Sequence, residues 1–342
     1  MSGRQDGGSA MSHAIRIVWW ACGLLCLAVL GLFLGMAVGS QGLEPWVARH
    51  NDEVMRQIVL EIRAPRTLGA WLGGALLGLA GAVAQGFFRN PLADPFLLGS
   101  ASGASLGVSL WLSLGGGTVM TASLMSRLGL TGAAFAGACL AVLLTLFLSR
   151  GVLHTLRLLL AGVVVGVVLG AVSSLVALLE PTVLQALQGF MLGSTAFVGW
   201  TACLLMGLAL ALCLGLAISQ SKVLDALTLG ESTARSLGAP MTAARRILVG
   251  ALSLATATAV AQLGLIAFVG LAAPHLVRSL LRSTHAALLL LSALMGGLLL
   301  QVADLLARLV VSPQELPVGV LTGVLGGFYL LWRLQPGRES RA

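Results

Sequence analysis

The chain has 342 residues, of which 58% are hydrophobic and only 9% charged. A soluble domain carries roughly 25% charged residues, so this composition cannot clothe a soluble globule and excludes a soluble enzyme, a nucleic-acid module and a disordered scaffold. The formal net charge of +8 sits mostly in short connections between long apolar stretches. That marks membrane orientation rather than nucleic-acid binding.

A helix crosses the hydrocarbon core in about 20 residues. In chain order the apolar runs predict helices near 15–39, 66–88, 101–116, 129–149, 155–179, 197–218, 247–264, 266–281, 286–306 and 316–334. The fold class is therefore all-α, a polytopic membrane protein with about ten transmembrane helices. The runs are continuous rather than alternating, which disfavours a β-barrel. The first run is too long for a signal-peptide core and reads as a retained helix. The 101–116 run is short, and 266–281 reads as a half-helix or re-entrant piece. Ten spans with both termini inside place fourteen of the 20 basic residues on the cytoplasmic side. Six remain outside: Arg49, Arg56, Arg63, Arg66, Arg127 and Arg308.

Three non-membrane segments are expected. Residues 1–14 form a cytoplasmic tail. Residues 41–65 lie outside, and Val54, Ile58 and Ile62 recur at the spacing of a short interfacial helix. Residues 219–246 form the longest inside loop, with a short helix after Gly230 that ends at Gly238-Ala-Pro240. The whole of 1–342 reads as a single transmembrane domain.

Several kinds of chemistry are missing. No G-x-x-x-x-G-K-[ST] occurs, so no P-loop binds ATP here. No His, Cys or carboxylate cluster has metal-ligand spacing, and the five cysteines all lie in apolar runs. Asp304 and Glu180 are the only acids near a helix interior, and an ion-coupled carrier ordinarily needs buried acids or broken helices. The expected chain is a non-enzymatic transport subunit with no cofactor of its own, powered by a partner. An ion-coupled secondary carrier and a non-transporting scaffold stand as alternatives.

Five features carry the functional reading. Gln85 to Gly99 (QGFFRNPLADPFLLG) holds two prolines that enforce an extended link. It is a rigid inside turn or a constriction at the inner mouth of a path. Gly162, Gly166 and Gly170, followed by Ser173 and Ser174, make a flat small-residue ridge. The ridge serves ordinary helix packing, or a smooth pathway wall or dimer face. Leu229-Gly230-Glu231 opens the inside-loop helix, which is a solvated loop or a lever on a cytoplasmic partner. His275, at a break in Gly270-Leu-Ala-Ala-Pro274-His275, is a packing residue before it is a ligand. Arg63, Arg66 and Arg308 break the inside bias. They snorkel to lipid headgroups, or they pair with acidic patches on an outside partner.

Taken together these motifs resemble the FecCD-type permeases, the membrane subunits of bacterial ABC importers for iron–siderophores, haem and cobalamin. The match runs from about residue 58 to 334. It is carried by Arg63-Ala-Pro-Arg66-Thr-Leu, Gly81-Ala-Val-Ala-Gln85-Gly, Arg89-Asn-Pro-Leu-Ala-Asp-Pro95, Leu229-Gly-Glu231 with Ala234-Arg235-x-Leu-Gly238, Phe268-Val-Gly-Leu271 with Pro274-His275-x-x-Arg278, Ala303-Asp304-x-x-Ala-Arg308 and Glu315-Leu-Pro-Val-Gly319. The resemblance implies the type II ABC importer fold in the bacterial inner membrane. It implies a second copy of the chain, two cytoplasmic ATPase subunits that hold ATP and magnesium, and a periplasmic substrate-binding protein, with the path between the two copies. It assigns Arg63, Arg66 and Arg308 to binding-protein docking. It assigns Leu229, Gly230, Glu231, Ala234, Arg235 and Gly238 to ATPase coupling, and Asn90, Leu92, His154 and Thr155 to a cytoplasmic gate. Iron–siderophore is the leading cargo, haem second and cobalamin third. One departure is visible in Gly326-Gly327-Phe328-Tyr329. The family usually has proline at the position of Phe328, so a less kinked last helix is expected.

Overall fold

A computed structural model describes residues 6–39, 42–43, 53–116, 124–149 and 155–333. Helix α1 (Asp6–Ala37) ends in a two-residue antiparallel bridge, Val38–Gly39 with Gly42–Leu43. Next come α2 (Glu53–Gln57) and α3 (Ala64–Phe88), joined without interruption by a π-helical turn at Ile58–Arg63. After a 3₁₀ turn at Pro95–Leu98 follow α4 (Ser100–Trp111), α5 (Leu124–Leu148), α6 (Thr155–Leu179) and α7 (Pro181–Leu192). The second half holds α8 (Trp200–Ser219), α9 (Ser221–Thr228), α10 (Glu231–Ser236), α11 (Met241–Leu263), α12 (Val269–Leu280), α13 (His285–Leu309) and α14 (Val318–Arg333).

Every one of the ten expected spans falls on a helix. Among the described residues, seven helices are long and apolar enough to cross a membrane. The helices α4 and α12 have 12 residues each and α14 has 16, so ten is an approximate count of crossings. The 41–65 segment departs from expectation. Its helix is no separate interfacial piece but runs straight into α3, making one helix from Glu53 to Phe88; residues 44–52 lie outside the described part. Helices α7 and α9 were not foreseen. Each packs one narrow stripe while its other faces stay open, a weak signal in a short apolar run.

Helix α3 is the central post. Of its most apolar stretch 89% is buried, against 17% for α1 and α6. Apolar area alone cannot decide this, because lipid is as apolar as protein; close packing of small residues does. A Cβ at Gly74 or Gly78 would strike the α13 backbone at Gly296 or Ser292, and one at Gly81 would strike Gly270 of α12. The helices touch backbone to backbone, so this stretch of α3 is enclosed by α13, α12, α11 and α8. By contrast, α6 leaves Val164, Val167 and Leu178 exposed, and α14 leaves Leu325, Phe328 and Leu331 exposed. Those faces meet lipid or another chain.

Two helix ends are broken side by side. Gly193 ends α7 and Gly264 ends α11, both at positive φ. Ser194 N–H donates to Leu263 O at 2.8 Å and Leu265 N–H to Phe190 O at 3.1 Å. The freed backbone groups therefore satisfy each other, which irregular backbone at membrane depth requires. Helix α12 then starts as a separate half-helix after Phe268, as the 266–281 reading expected. Helix α14 is one uninterrupted helix through Phe328, whose side chain points out of the chain, while Gly326 lies against Phe268.

Candidate functional site

Polar side chains gather at the two ends of the α3 post. At its N-terminal end Asp304 is fully buried between two arginines. Its Oδ1 accepts from Arg66 Nε at 3.1 Å, and its Oδ2 pairs with Arg308 one turn on. Thr195, from the link after α7, also donates to Asp304. Arg308 Nη1 reaches Gly35 O of α1 at 3.1 Å and Nη2 reaches Thr67 Oγ1 at 3.2 Å. Arg66 Nη1 turns outward to Glu315 Oε2 at 2.8 Å, where Glu315 is 31% exposed. The network ties α1, α3, α13 and two loops into one charged knot.

The resemblance assigns these arginines to docking on an outside partner, and within the single chain two of them are buried. Arg308 is 2% exposed and Arg66 is 9% exposed. The cause is Asp304, which places a carboxylate one helical turn from Arg308 and directly opposite Arg66. A buried guanidinium is tolerated only beside such a counter-charge. Arg63 is half-buried and donates to Met36 O at 3.4 Å.

At the other end of α3 the chain turns through Arg89, whose backbone is left-handed at φ 51°. The link that follows is self-braced. Asn90 Oδ1 accepts from Leu92 N–H at 2.9 Å and Asp94 Oδ1 from Phe96 N–H at 2.8 Å. Burial pushes the Asp94 carboxyl above its ordinary range, while the Phe96 hydrogen bond opposes the shift. Asn90 and Leu92 are exposed at the tip. His154 lies outside the described residues. Thr155 begins α6, and its side chain also lies outside the described part.

Against the end of α3, where Leu224 lies beside Gly86, is the loop between α8 and α11. Helix α9 is strongly two-faced, burying Val223, Leu224 and Leu227 in the core. Gly230 adopts φ 106° and opens α10, as the sequence expected. Ala234 is buried, whereas Leu229 and Leu237 are 65% and 67% exposed on either side of α10. Arg235 pairs with Glu231 at 2.7 Å. As an exposed i,i+4 pair that bond stabilises by only about 0.3–0.5 kcal/mol. It orients α10 rather than holding the loop down. His275 packs edge-on against Tyr329 of α14, in keeping with a packing role.

The glycine ridge of α6 takes its bland reading. Gly162 abuts the backbone of Leu97 and Leu98, and Gly166 and Gly170 lie close to Ser102 of α4. Ser173 shares a buried hydrogen bond with Ser109 of α4 at 3.2 Å. Along Gly162 and Ser173 the ridge packs within the chain, while Gly166 and Gly170 stay half-buried. Ser174 alone of the set is exposed. The open face of α6 is instead the valine-rich one, which a search for small residues passes over.

A central small-residue post, paired broken helices and a loop that exposes leucines on either side of α10 make this a polytopic α-helical membrane protein with a surface suited to a partner. The chain belongs to the FecCD transport family, whose sequence model matches residues 24–335. It is 39% identical over 317 residues to the vitamin B12 import system permease protein BtuC of Escherichia coli O157:H7, covering 91% of this chain and 94% of that one. The protein of the same name from Salmonella paratyphi A is 38% identical over 322 residues, covering 93% and 95%. A solved structure described as an inward-facing conformation of a metal-chelate type ABC transporter is 30% identical. It superposes with a TM-score of 0.81 over 92% of this chain and 99% of that one. PsaBC from Streptococcus pneumoniae, at 16% identity and TM-score 0.56, shares the fold alone.

Proposed function

We propose that this chain is the permease subunit of an importer that carries cobalamin across the bacterial inner membrane. The supporting observation is the 39% identity to the vitamin B12 permeases across nine-tenths of the chain. It moves cobalamin from third place to first, ahead of the iron–siderophores that the motifs alone favoured. Haem and other metal chelates follow.

On this reading two copies form the path, with the open valine face of α6 and the outward face of α14 between them. Two ATPase subunits dock on the 219–246 loop through Leu229, Gly230, Glu231, Ala234, Arg235 and Gly238, and Leu229 and Leu237 supply the exposed apolar contact. Asn90 and Leu92, with His154 and Thr155, form the cytoplasmic gate. A periplasmic binding protein docks near Arg63, Arg66 and Arg308. Because Arg66 and Arg308 are occupied, an incoming carboxylate competes first with Glu315, the outermost acid of the network. Both termini are cytoplasmic, and ATP with magnesium resides on the partner.

The ion-coupled alternative is disfavoured by Asp304. It is the one fully buried acid among the described residues, and both its oxygens are held by arginines. A coupling acid must instead be free to exchange its ion. The test is uptake into vesicles that carry the permease, its ATPase and its binding protein, with an ionophore present. ATP-dependent cobalamin uptake that survives the ionophore supports the proposal, and uptake abolished by the ionophore overturns it.

A further inference from the structure

Three contacts from three different elements converge on one turn of helix, the last turn of α3. Gln85 pairs with Arg278 of α12, and its Nε2 donates to Leu271 O at 3.2 Å. Gly86 lies against the imidazole of His285, at the start of α13. Phe87 lies under Arg245 of α11, whose guanidinium carbon is 5.8 Å from the ring centre.

Two of these contacts lead back to the 219–246 loop. Asp225 of α9 binds His285 twice, through Nδ1 at 2.7 Å and through the backbone N–H at 3.0 Å. Glu231 of α10 lies 3.8 Å from Arg245 and 2.7 Å from Arg235. Glu231 thus connects α10 to Arg245, and Arg245 bears on Phe87. In the other direction the turn leads straight into the 89–99 link. Asn90 N–H donates to Gln85 O at 3.2 Å, and Arg89 caps the helix in the left-handed conformation. Phe87 itself is 4% exposed and sits edge-on to Phe88 at 5.2 Å.

We propose that the last turn of α3 transmits movement of the 219–246 loop to the 89–99 link, and that Arg245 is the positioning residue of that transmission. The inference rests on the reading of 219–246 as the ATPase-docking loop. The physical reason is geometric. Helix α3 is fixed along its length by backbone contact with α13 and α12, so the post cannot slide. Its final turn ends in a left-handed residue, and its ties to α11 and α13 are made through the side chains of Arg245 and His285. A cation over a ring tolerates lateral shift better than a packed methyl group does. A salt bridge at 3.8 Å is loose enough to lengthen or close as α10 moves. The turn is thus the place where a rigid post can pass on a local displacement.

The experiment reads the link directly and needs no cargo. Leu92, exposed at the link, is replaced by cysteine in the permease–ATPase complex. Its labelling by a membrane-impermeant maleimide is timed with and without ATP plus vanadate. The chain without Leu92→Cys corrects for the native cysteines. The complex with otherwise native sequence is expected to change its labelling rate several-fold on nucleotide trapping, and Arg245→Lys to do the same. Arg245→Met keeps the reach over Phe87 but loses the charge. It is expected to co-purify with the ATPase at the same yield and thermal stability while losing the nucleotide-dependent change. Phe87→Leu is expected to behave likewise. The proposal is overturned if Arg245→Met retains the full change, if the native complex shows none, or if Arg245→Met acts only by failing to bind the ATPase. Failure of cobalamin uptake would overturn the cargo assignment and leave this result standing.

Discussion

Asp304 and Arg66 meet at 3.1 Å across 238 positions of sequence, and with Arg308 they close one end of the helix bundle. The pair is deep enough that neither partner can be removed cheaply. Asp304→Asn keeps the shape but takes from Arg308 its paired carboxylate and leaves Glu315, at the rim, to offset two buried guanidinium groups. Breaking a buried ion pair costs about 3–5 kcal/mol. Thermal unfolding in detergent should therefore show a large loss for Asp304→Asn. Glu315→Gln, at the rim, should show a loss of about 1 kcal/mol or less. Equal stability of the two variants would contradict the role given to Asp304.

The post itself is testable at Gly81. A methyl group there would meet the backbone oxygen of Gly270, which cannot rotate away as a side chain could. Overpacking of this kind costs about 1–3 kcal/mol. Gly81→Ala should lower the yield of folded protein and its unfolding temperature. Gly207→Ala on α8, where nothing lies within 4 Å, should change neither.

Much of this was legible in the residues, and the division has physical causes. Span placement needs only length and hydropathy, and all ten runs fall on helices. The bounds of α10 were legible because Gly230 before it and Gly238-Ala-Pro240 after it are local signals. What the sequence could not disclose is which partner a polar residue finds. Arg66 looked like an outward charge because Asp304 and Glu315 are remote from it in sequence, and although Asp304 is one turn from Arg308, the depth of that pair depends on how α1 and α3 pack around it. The α6 glycines fitted a pathway wall as well as a packing ridge, since the residues that meet them, Leu97, Leu98 and Ser102, lie on other elements. The amphipathic α9 was missed because its apolar stripe is only two turns long.

The coupling surface yields a contrast between binding and stability. Leu229 and Leu237 are 65% and 67% exposed, so polar replacement should leave unfolding within about 0.5 kcal/mol of the parent. If they anchor the ATPase, Leu229→Asp with Leu237→Asp should weaken its binding by about 2 kcal/mol or more. Co-purification with the ATPase and a parallel thermal melt separate the two effects. Undiminished ATPase binding would remove these leucines from the interface.

Asp94 adds a dependence on pH. Burial raises its carboxyl above 3.8, so the folded chain holds this proton to higher pH than the unfolded chain does. Below the unfolded value both forms are protonated and the group contributes nothing. As pH rises through the raised folded value, the folded state loses stability. Asp94→Asn keeps an oxygen to accept from Phe96 N–H and removes the titration. The stability of the native chain relative to Asp94→Asn should therefore fall as pH rises from acid toward neutral. A difference independent of pH, or one of opposite slope, would contradict the buried setting of Asp94.

The cargo remains the point on which the functional reading stands or falls. Proteoliposomes holding the permease, its ATPase and its binding protein should be offered labelled cobalamin, ferric siderophore and haem in parallel. ATP-dependent accumulation of cobalamin, lost when any one protein is omitted, is the expected result. Accumulation of siderophore or haem with none of cobalamin would contradict it.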